Sequence, residues 1–129
     1  MNNLNKIHPV RILIADDQPL QQTMFAAALS ELEGVNVAGE AEDGEEVLRM
    51  IGEDNFDLLI LDISLPKKDG IEVLKTLTDR GKKIPVIVTS NYAREDFESA
   101  VLSMGACAFI EKGDIDKIIE AVRECIHAT

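Results

Sequence analysis

The sequence has few basic residues and no long apolar run, and each shortage argues against a class of protein. Its 129 residues carry 13 Lys and Arg against 24 Asp and Glu, a formal net charge of −11. Because phosphate backbones are bound through Lys and Arg, this balance argues against nucleic acid as a direct partner. No apolar stretch approaches the roughly 20 residues of a membrane span, and the start lacks the apolar segment of a signal peptide. We therefore expect no membrane contact and a cytoplasmic location.

Cysteine and large aromatic residues are also scarce. The two cysteines, Cys107 and Cys125, lack the spacing of a metal site, and we expect buried free thiols rather than a disulfide in a reducing compartment. Apolar residues make up 46% of the chain, which is typical of one globular domain. We see no linker, repeat or low-complexity segment, and we predict a flexible tail over residues 1–9 and a single domain over residues 10–129.

Short apolar segments alternate along the chain with segments of helical periodicity. Segments rich in Leu, Ile and Val and bounded by turn residues predict strands. We predict strands over Val10–Ala15, Val35–Gly39, Leu58–Asp62, Ile84–Ser90 and Cys107–Glu111. Apolar residues spaced by three and four predict the helices. They run from Pro19 to about Glu33, from Gly44 to Gly52, from Gly70 to about Gly81, from Phe97 to Gly105 and from Ile115 to Ile126.

This alternation predicts an α/β fold of the doubly wound type. Strand–helix–strand units with right-handed crossovers give a five-stranded parallel sheet covered by helices on both faces, a three-layer sandwich. We expect the strand order 2-1-3-4-5, in which the first and third strands are neighbours at the topological switch point. We also expect an acidic residue before Pro19 to cap the first helix.

Polar residues follow four of the predicted strands, at the edge where ligands bind in such folds. They are Asp16 and Asp17, Asp62, Ser90 or Thr89, and Lys112. Each of these residues has an ordinary structural explanation when taken alone, but their joint placement at one edge of the sheet favours a functional site. Three crowded carboxylates repel one another unless a cation offsets their charge, and an all-oxygen set suits Mg²⁺ rather than zinc. A lysine and a hydroxyl beside them suit a phosphoryl group, with one carboxylate as nucleophile.

At these residues the sequence resembles the receiver domain of two-component response regulators, a CheY-like domain. The resemblance covers about Val10 to Ile126. It rests on the acidic pair after the first strand, the Asp-x-x-x-Pro-x-x-Asp-Gly run from Asp62 to Gly70, the hydroxyl that ends the fourth strand and the lysine that ends the fifth.

The resemblance implies a role for each of these positions. The phosphoacceptor is Asp62, and the Mg²⁺ ligands are Asp16, Asp17, Asp62 and the backbone carbonyl of Ser64. The phosphoryl-contacting lysine is Lys112, and the aromatic switch position is Phe109. The switch hydroxyl is Ser90, five residues after Pro85, with Thr89 as the alternative.

The resemblance also implies partners. A sensor histidine kinase presents a phosphohistidine, and phosphorylation changes the face built from the fourth helix, the fifth strand and the fifth helix. That face controls an output domain or a downstream protein, and homodimerisation on phosphorylation stays open. The chain would then catalyse only its own phosphorylation and dephosphorylation. Gly113 follows Lys112 where many receivers have Pro, which indicates by analogy a transcription factor as the parent protein.

Three other functions were weighed against this one. A phosphatase of the haloacid dehalogenase type needs a second Asp two positions after its nucleophile, and this chain has Ser64 there. In an FMN-binding flavodoxin-like module, Asp16 and Asp17 would repel the flavin phosphate, and the chain has one Tyr and no Trp to stack on a flavin. A receiver-like fold that signals without phosphorylation would not need the complete acidic set.

Overall fold

The fold consists of five strands alternating with five helices. The protein is described by a computed structural model that covers residues 8–91 and 95–127. Most of the predicted tail, residues 1–7, and Tyr92 lie outside this described part. The elements are β1 Val10–Ala15, α1 Pro19–Leu29, β2 Val35–Ala41, α2 Gly44–Glu53, β3 Leu58–Asp62, α3 Gly70–Asp79, β4 Val86–Ser90, α4 Glu95–Ser103, β5 Ala108–Glu111 and α5 Ile115–His127.

The strands form one parallel sheet in the order β2-β1-β3-β4-β5, which confirms the predicted doubly wound fold. Strand β3 is central, and all five of its residues are buried. Strands covered by helices on both faces need apolar residues at every position, which is why this segment reads as a continuous apolar run.

Two apolar cores lie on the two faces of the sheet. Leu59 and Leu61 of β3 face helices α2, α3 and α4. Leu58 and Ile60 face helices α1 and α5. Because successive side chains of a strand point to opposite faces, this alternation also assigns a face to each residue at the strand ends.

Several predicted boundaries were wrong by two to four residues. Strand β2 continues beyond Gly39 to Ala41, which pairs with Ala15, and a register shift interrupts the β1–β2 pairing. Strand β4 begins at Val86 rather than Ile84, because Pro85 has no N–H to donate to a neighbouring strand.

Helix α1 ends at Leu29, four residues before the predicted end. The backbone N–H of Ser30 still bonds to carbonyls of the last turn, and the following turn leads to Gly34, which has a φ of 86°. A positive φ of this kind favours glycine. The apolar periodicity therefore continued past the helix into the turn, where Leu32 packs against the core.

The predicted acidic cap of α1 is not present. Gln18 occupies the N-cap position and makes no side-chain cap hydrogen bond. By contrast, Asp43 caps α2, and Asp69 forms a reciprocal capping box with Glu72 at the start of α3. Asp16 and Asp17 therefore do not cap α1, and their carboxylates are available for other contacts.

The cysteines are free, but the prediction of two buried thiols was wrong. Cys107 is exposed and lies just before β5, and Cys125 on α5 is half-buried. Within residues 8–91 and 95–127, no helix has both the length and the apolar character that a bilayer crossing requires.

Candidate functional site

Three carboxylates meet where β1 and β3 end. Oxygen atoms of Asp16, Asp17 and Asp62 lie within 4.8 Å of one another. Asp16 and Asp62 are each 1% exposed, whereas Asp17 is open to solvent. The two strands are neighbours, with Ala15 opposite Leu61, so their polar extensions emerge side by side. The fold thus brings the predicted acidic set together.

Lys112 reaches into this acidic set from the end of β5. Its Nζ donates to Asp62 Oδ2 at 2.7 Å and lies 3.0 Å from Asp16 Oδ2. The side chain is almost fully buried, and its backbone N–H donates to the Ser90 carbonyl at 2.8 Å. Since β4 separates β5 from β3, the lysine spans the end of β4 to reach its partners.

The pKa values of Asp16 and Lys112 are set by two opposing effects: burial favours the neutral form of each group, and the interaction between them favours the charged forms. Burial raises the pKa of Asp16 above 3.8 despite the hydrogen bond from the Gln18 N–H and the nearby Lys112, and the charge of Asp62 adds to the rise. Burial alone would lower the pKa of Lys112, but the hydrogen bond to Asp62, the close approach of Asp16 and the charges of both carboxylates raise it above 10.5. The lysine is therefore a cation in this site at neutral pH.

One oxygen of the buried acidic set lacks a directed donor. Asp16 Oδ2 accepts no hydrogen bond, since its 3.0 Å approach to Lys112 Nζ does not have hydrogen-bond geometry. The Lys112 ammonium offsets the charge of this oxygen, but without a hydrogen bond the oxygen keeps lone pairs that a metal ion could use. The site therefore offers three carboxylates that could hold a metal ion, and oxygen donors of this kind suit a hard divalent cation.

The loop from β3 to α3 holds the Asp62 carboxylate in place. The Ser64 N–H donates to Asp62 Oδ1 at 2.9 Å, and the Gly70 N–H donates to the Ile63 carbonyl at 2.9 Å. A Cβ at Gly70 would stand 2.8 Å from the Asp62 carbonyl oxygen, so only glycine fits there. Lys67, with a φ of 66°, makes the turn inside the loop.

Helix α2 supports the same loop from the other side. The Gly44 N–H donates to the Pro66 carbonyl at 3.2 Å, and a Cβ at Gly44 would overlap the Lys68 carbonyl oxygen. Close backbone approach of this kind requires glycine. The loop that carries Asp62 and Ser64 is therefore packed between two helix starts.

The two candidate switch hydroxyls lie on opposite faces of the sheet. Val88 pairs with Phe109, and Ser90, two residues on, is on the same face as this pair. Thr89 pairs with Asp62 and faces the α1 and α5 side, where its buried Oγ1 has no partner among the described residues. Phe109 is half-buried against the core on the Ser90 side.

Gln22 is a buried polar residue beside the site that was not predicted from the sequence. This residue of α1 is 6% exposed, and its Nε2 donates to the Asp16 carbonyl at 2.6 Å and to the Ala41 carbonyl at 3.0 Å. It ties the ends of β1 and β2 to the helix. Its place on the helix face of Phe25 and Leu29, three and seven residues later, was the available signal, because a buried amide must find hydrogen-bond partners.

Comparisons with known proteins agree with this geometry. The family model described as the response regulator receiver domain matches residues 12–123. The response regulator GacA of Pseudomonas aeruginosa is 27% identical over 116 residues, which cover 89% of this chain and 54% of GacA. The chain thus spans about half the length of that relative.

Solved receiver structures share the fold closely. The signal receiver domain of the response regulator NarL from Mycobacterium tuberculosis superposes with a TM-score of 0.87 at 30% identity, covering 95% of this chain and 99% of that one. CheY from Borrelia burgdorferi, solved as a complex with CheX, BeF3 and Mg²⁺, gives 0.82 at 32% identity, covering 92% of this chain and 90% of that chain.

These findings do not favour the phosphatase or the flavodoxin-like alternative. The match to the family model runs from β1 through most of α5, so it assigns nearly the whole fold to this family. The parallel sheet, the acidic edge and the family match agree with one another. The chain belongs to the response regulator receiver domain family, the regulatory domain of two-component systems.

Proposed function

We propose that this receiver accepts a phosphoryl group on Asp62 from the phosphohistidine of a sensor histidine kinase. Response regulators interact with histidine kinases and output domains. The observation that carries the proposal is the convergence of three carboxylates and one buried ammonium at one strand edge. A nucleophilic carboxylate needs positive charge around it to approach an anionic phosphoryl group.

The proposed metal is Mg²⁺, held by the carboxylates of Asp16, Asp17 and Asp62 and by the backbone carbonyl of Ser64. The all-oxygen donor set supports this choice, and Asp16 Oδ2, which is paired with Lys112 but accepts no hydrogen bond, is open to a metal ion. When bound, Mg²⁺ offsets the negative charge of the carboxylates and of the phosphoryl oxygens. The similar CheY solved with BeF3 and Mg²⁺ lends further support.

Asp62 would be the nucleophile in the transfer. One of its carboxylate oxygens bonds to phosphorus while the phosphorus–nitrogen bond of phosphohistidine breaks, and the imidazole leaves with the electron pair. The Lys112 ammonium, which donates to Asp62 Oδ2 before the reaction, then donates to a phosphoryl oxygen. It thereby keeps the negative charge at the strand edge paired.

Ser90, rather than Thr89, is proposed as the switch hydroxyl. Ser90 shares a sheet face with Phe109, whereas Thr89 lies on the other face. Donation from Ser90 to the phosphoryl group would pull on the end of β4, and Phe109 would move inward on the same face. The result is a population shift of the face formed by α4, β5 and α5 between two packings.

The wider role of the chain follows from this switch. We propose that the α4–β5–α5 face controls an output domain or a downstream protein and supports homodimerisation on phosphorylation. The receiver would occupy residues 10–129 after a tail over residues 1–9 and work in the cytoplasm. It would catalyse only its own phosphorylation and dephosphorylation. The similarity to the transcriptional regulatory protein DegU of Brevibacillus brevis, together with Gly113, supports a parent protein that regulates transcription.

The test is to incubate the full chain with acetyl phosphate and Mg²⁺ and to measure its intact mass. We expect a gain of one phosphoryl group that is absent from Asp62→Ala and from samples without divalent metal. Asp79→Ala, at the exposed end of α3, is the matched control and should gain the group normally. A gain that persists in Asp62→Ala would refute the assignment of the acceptor.

A further inference from the structure

A pair of thiols lies at the edge of the sheet opposite to the acidic site. The Cys107 N–H donates to the Val86 carbonyl at 2.8 Å, which fixes Cys107 beside the first residue of β4. Cys125, near the end of α5, lines a cavity of about 240 Å³ together with Pro85, the residue before Val86. The two cysteines are therefore adjacent, although they belong to different elements.

The two thiols lie in unlike surroundings. Cys107 is exposed and Cys125 is half-buried, and both are free. Burial, then the side chain of Cys107 and the charge of Glu124, raise the pKa of Cys125 to about 12. Ala108, the residue after Cys107, and Cys125 pack against the same apolar cluster, so the two thiols belong to elements that the fold holds side by side. Reagents in solution meet Cys107 first.

We propose that Cys107 and Cys125 form a redox modification site in which hydrogen peroxide converts the two thiols into an intramolecular disulfide. Such pairs, with an accessible thiol next to a resolving one, are the arrangement in which cysteine oxidation is reversible. In reducing compartments, disulfides are transient and regulatory rather than structural. This proposal goes beyond phosphoryl transfer and does not depend on it.

The chemistry balances in two steps. The Cys107 sulfur attacks one oxygen of hydrogen peroxide, the oxygen–oxygen bond breaks, and a sulfenic acid and one water form. The Cys125 sulfur then attacks the sulfenic sulfur, the sulfur–oxygen bond breaks, and a second water leaves with the thiol proton. Two thiols are oxidised and one peroxide is reduced. A dithiol reductant reverses the change.

The disulfide would join the residue before β5 to the last turns of α5. These two elements pack on each other beside the core formed with Ile118 and Val122. A covalent link there limits how far α5 moves relative to β5. It also constrains the unfolded chain, so the oxidised protein should melt at a higher temperature than the reduced one.

The test treats the reduced full chain with a small excess of hydrogen peroxide, followed by intact mass and non-reducing peptide mapping. We expect the loss of two hydrogens, a Cys107–Cys125 cross-linked peptide and a higher Tm, all reversed by dithiothreitol. Cys107→Ser and Cys125→Ser should each abolish the cross-link. Asp62→Ala should retain it, which separates this proposal from the phosphorylation proposal.

The same reaction in guanidinium shows whether the fold brings the thiols together. We expect the native chain to cross-link at least ten-fold faster than the unfolded chain. Equal rates in the two states would overturn the proposal, because proximity in the fold would then contribute nothing. Oxygen adducts on Cys107 without a cross-link, or a disulfide between two chains, would also overturn it.

Discussion

Replacing Lys112 by Met removes the cation that lies between two buried carboxylates, Asp16 and Asp62. Methionine keeps an unbranched apolar stem, so the change mainly deletes the ammonium. Asp62 Oδ1 keeps the Ser64 N–H and Asp16 Oδ1 keeps the Gln18 N–H, but both Oδ2 atoms lose their cationic neighbour. Breaking one side of a buried ion pair costs about 3–5 kcal/mol. We expect a loss of that size in the free energy of unfolding at neutral pH without divalent metal.

Acid should restore part of this loss. Burial already raises the pKa of Asp16 above 3.8, and deleting Lys112 removes two influences that lower it. A carboxyl whose pKa is higher in the folded than in the unfolded state destabilises the fold while it is ionised. Stability therefore returns as the pH falls through the folded pKa toward 3.8. On acidification from neutral pH, the free energy of unfolding should therefore rise more in Lys112→Met than in the wild type.

Mg²⁺ should restore stability as well. A ligand present at 100 times its dissociation constant adds about 2.7 kcal/mol to the folded state. The proposed Mg²⁺ ligands are the carboxylates and not Lys112, so the Lys112→Met variant should still bind Mg²⁺ while the proposed phosphorylation-driven switch fails. Loss of Mg²⁺ affinity would instead show that Lys112 is needed to hold the carboxylates in position.

Urea unfolding followed by far-UV circular dichroism is the suitable assay, since the chain has no Trp and one Tyr for fluorescence. Lys117→Met is the matched control, because the Lys117 side chain is 71% exposed and its Nζ lies 3.7 Å from Asp114. The control should change stability by less than about 0.5 kcal/mol. A loss below about 1 kcal/mol in Lys112→Met, or a loss that neither acid nor Mg²⁺ reduces, would contradict the role assigned to the ion pair.

Three further outcomes follow from the packing and charges. Gly44→Ala should destabilise the fold by about 1–3 kcal/mol in urea unfolding, because its Cβ would overlap the Lys68 carbonyl oxygen. Gly52→Ala in the same helix, with open space around it, should be neutral or stabilise by about 0.5–1 kcal/mol. Thr89→Val should leave the melting temperature unchanged or raise it, since the change deletes a buried hydroxyl that has no hydrogen-bond partner among the described residues. A lower melting temperature would show that this hydroxyl makes a stabilising hydrogen bond. The stability due to Lys112, present in full from neutral pH up to pH 10.5, should be lost as pH rises through its higher folded pKa, so wild type and Lys112→Met should converge in alkaline urea titrations.

Much of the architecture could be read from local patterns. The run Leu58–Leu61 is apolar at every position because both faces of β3 are covered, and such a run predicts a parallel sheet with helices on both faces. The polar residue that ends such a strand must emerge at the carboxyl edge. The meeting of Asp16, Asp17 and Asp62 at that edge therefore followed from the order of strands and helices along the chain.

Other features depended on which atoms the fold brings together. An acidic pair before Pro19 looks like a helix cap, yet the cap position falls on Gln18, and Asp16 faces Lys112. The amide of Gln22 is bound to two strand ends that no local pattern connects to it.

The sequence by itself thus determined the strands, their order and the edge where the acidic residues gather, because periodicity and chain connectivity are local properties. Only the tertiary structure decided that Lys112 bonds to Asp62 and approaches Asp16, and that Cys107 and Cys125 lie near the start of β4, next to Val86 and Pro85 respectively. Those contacts join residues far apart in the chain, and their geometry depends on side-chain packing across several strands and helices.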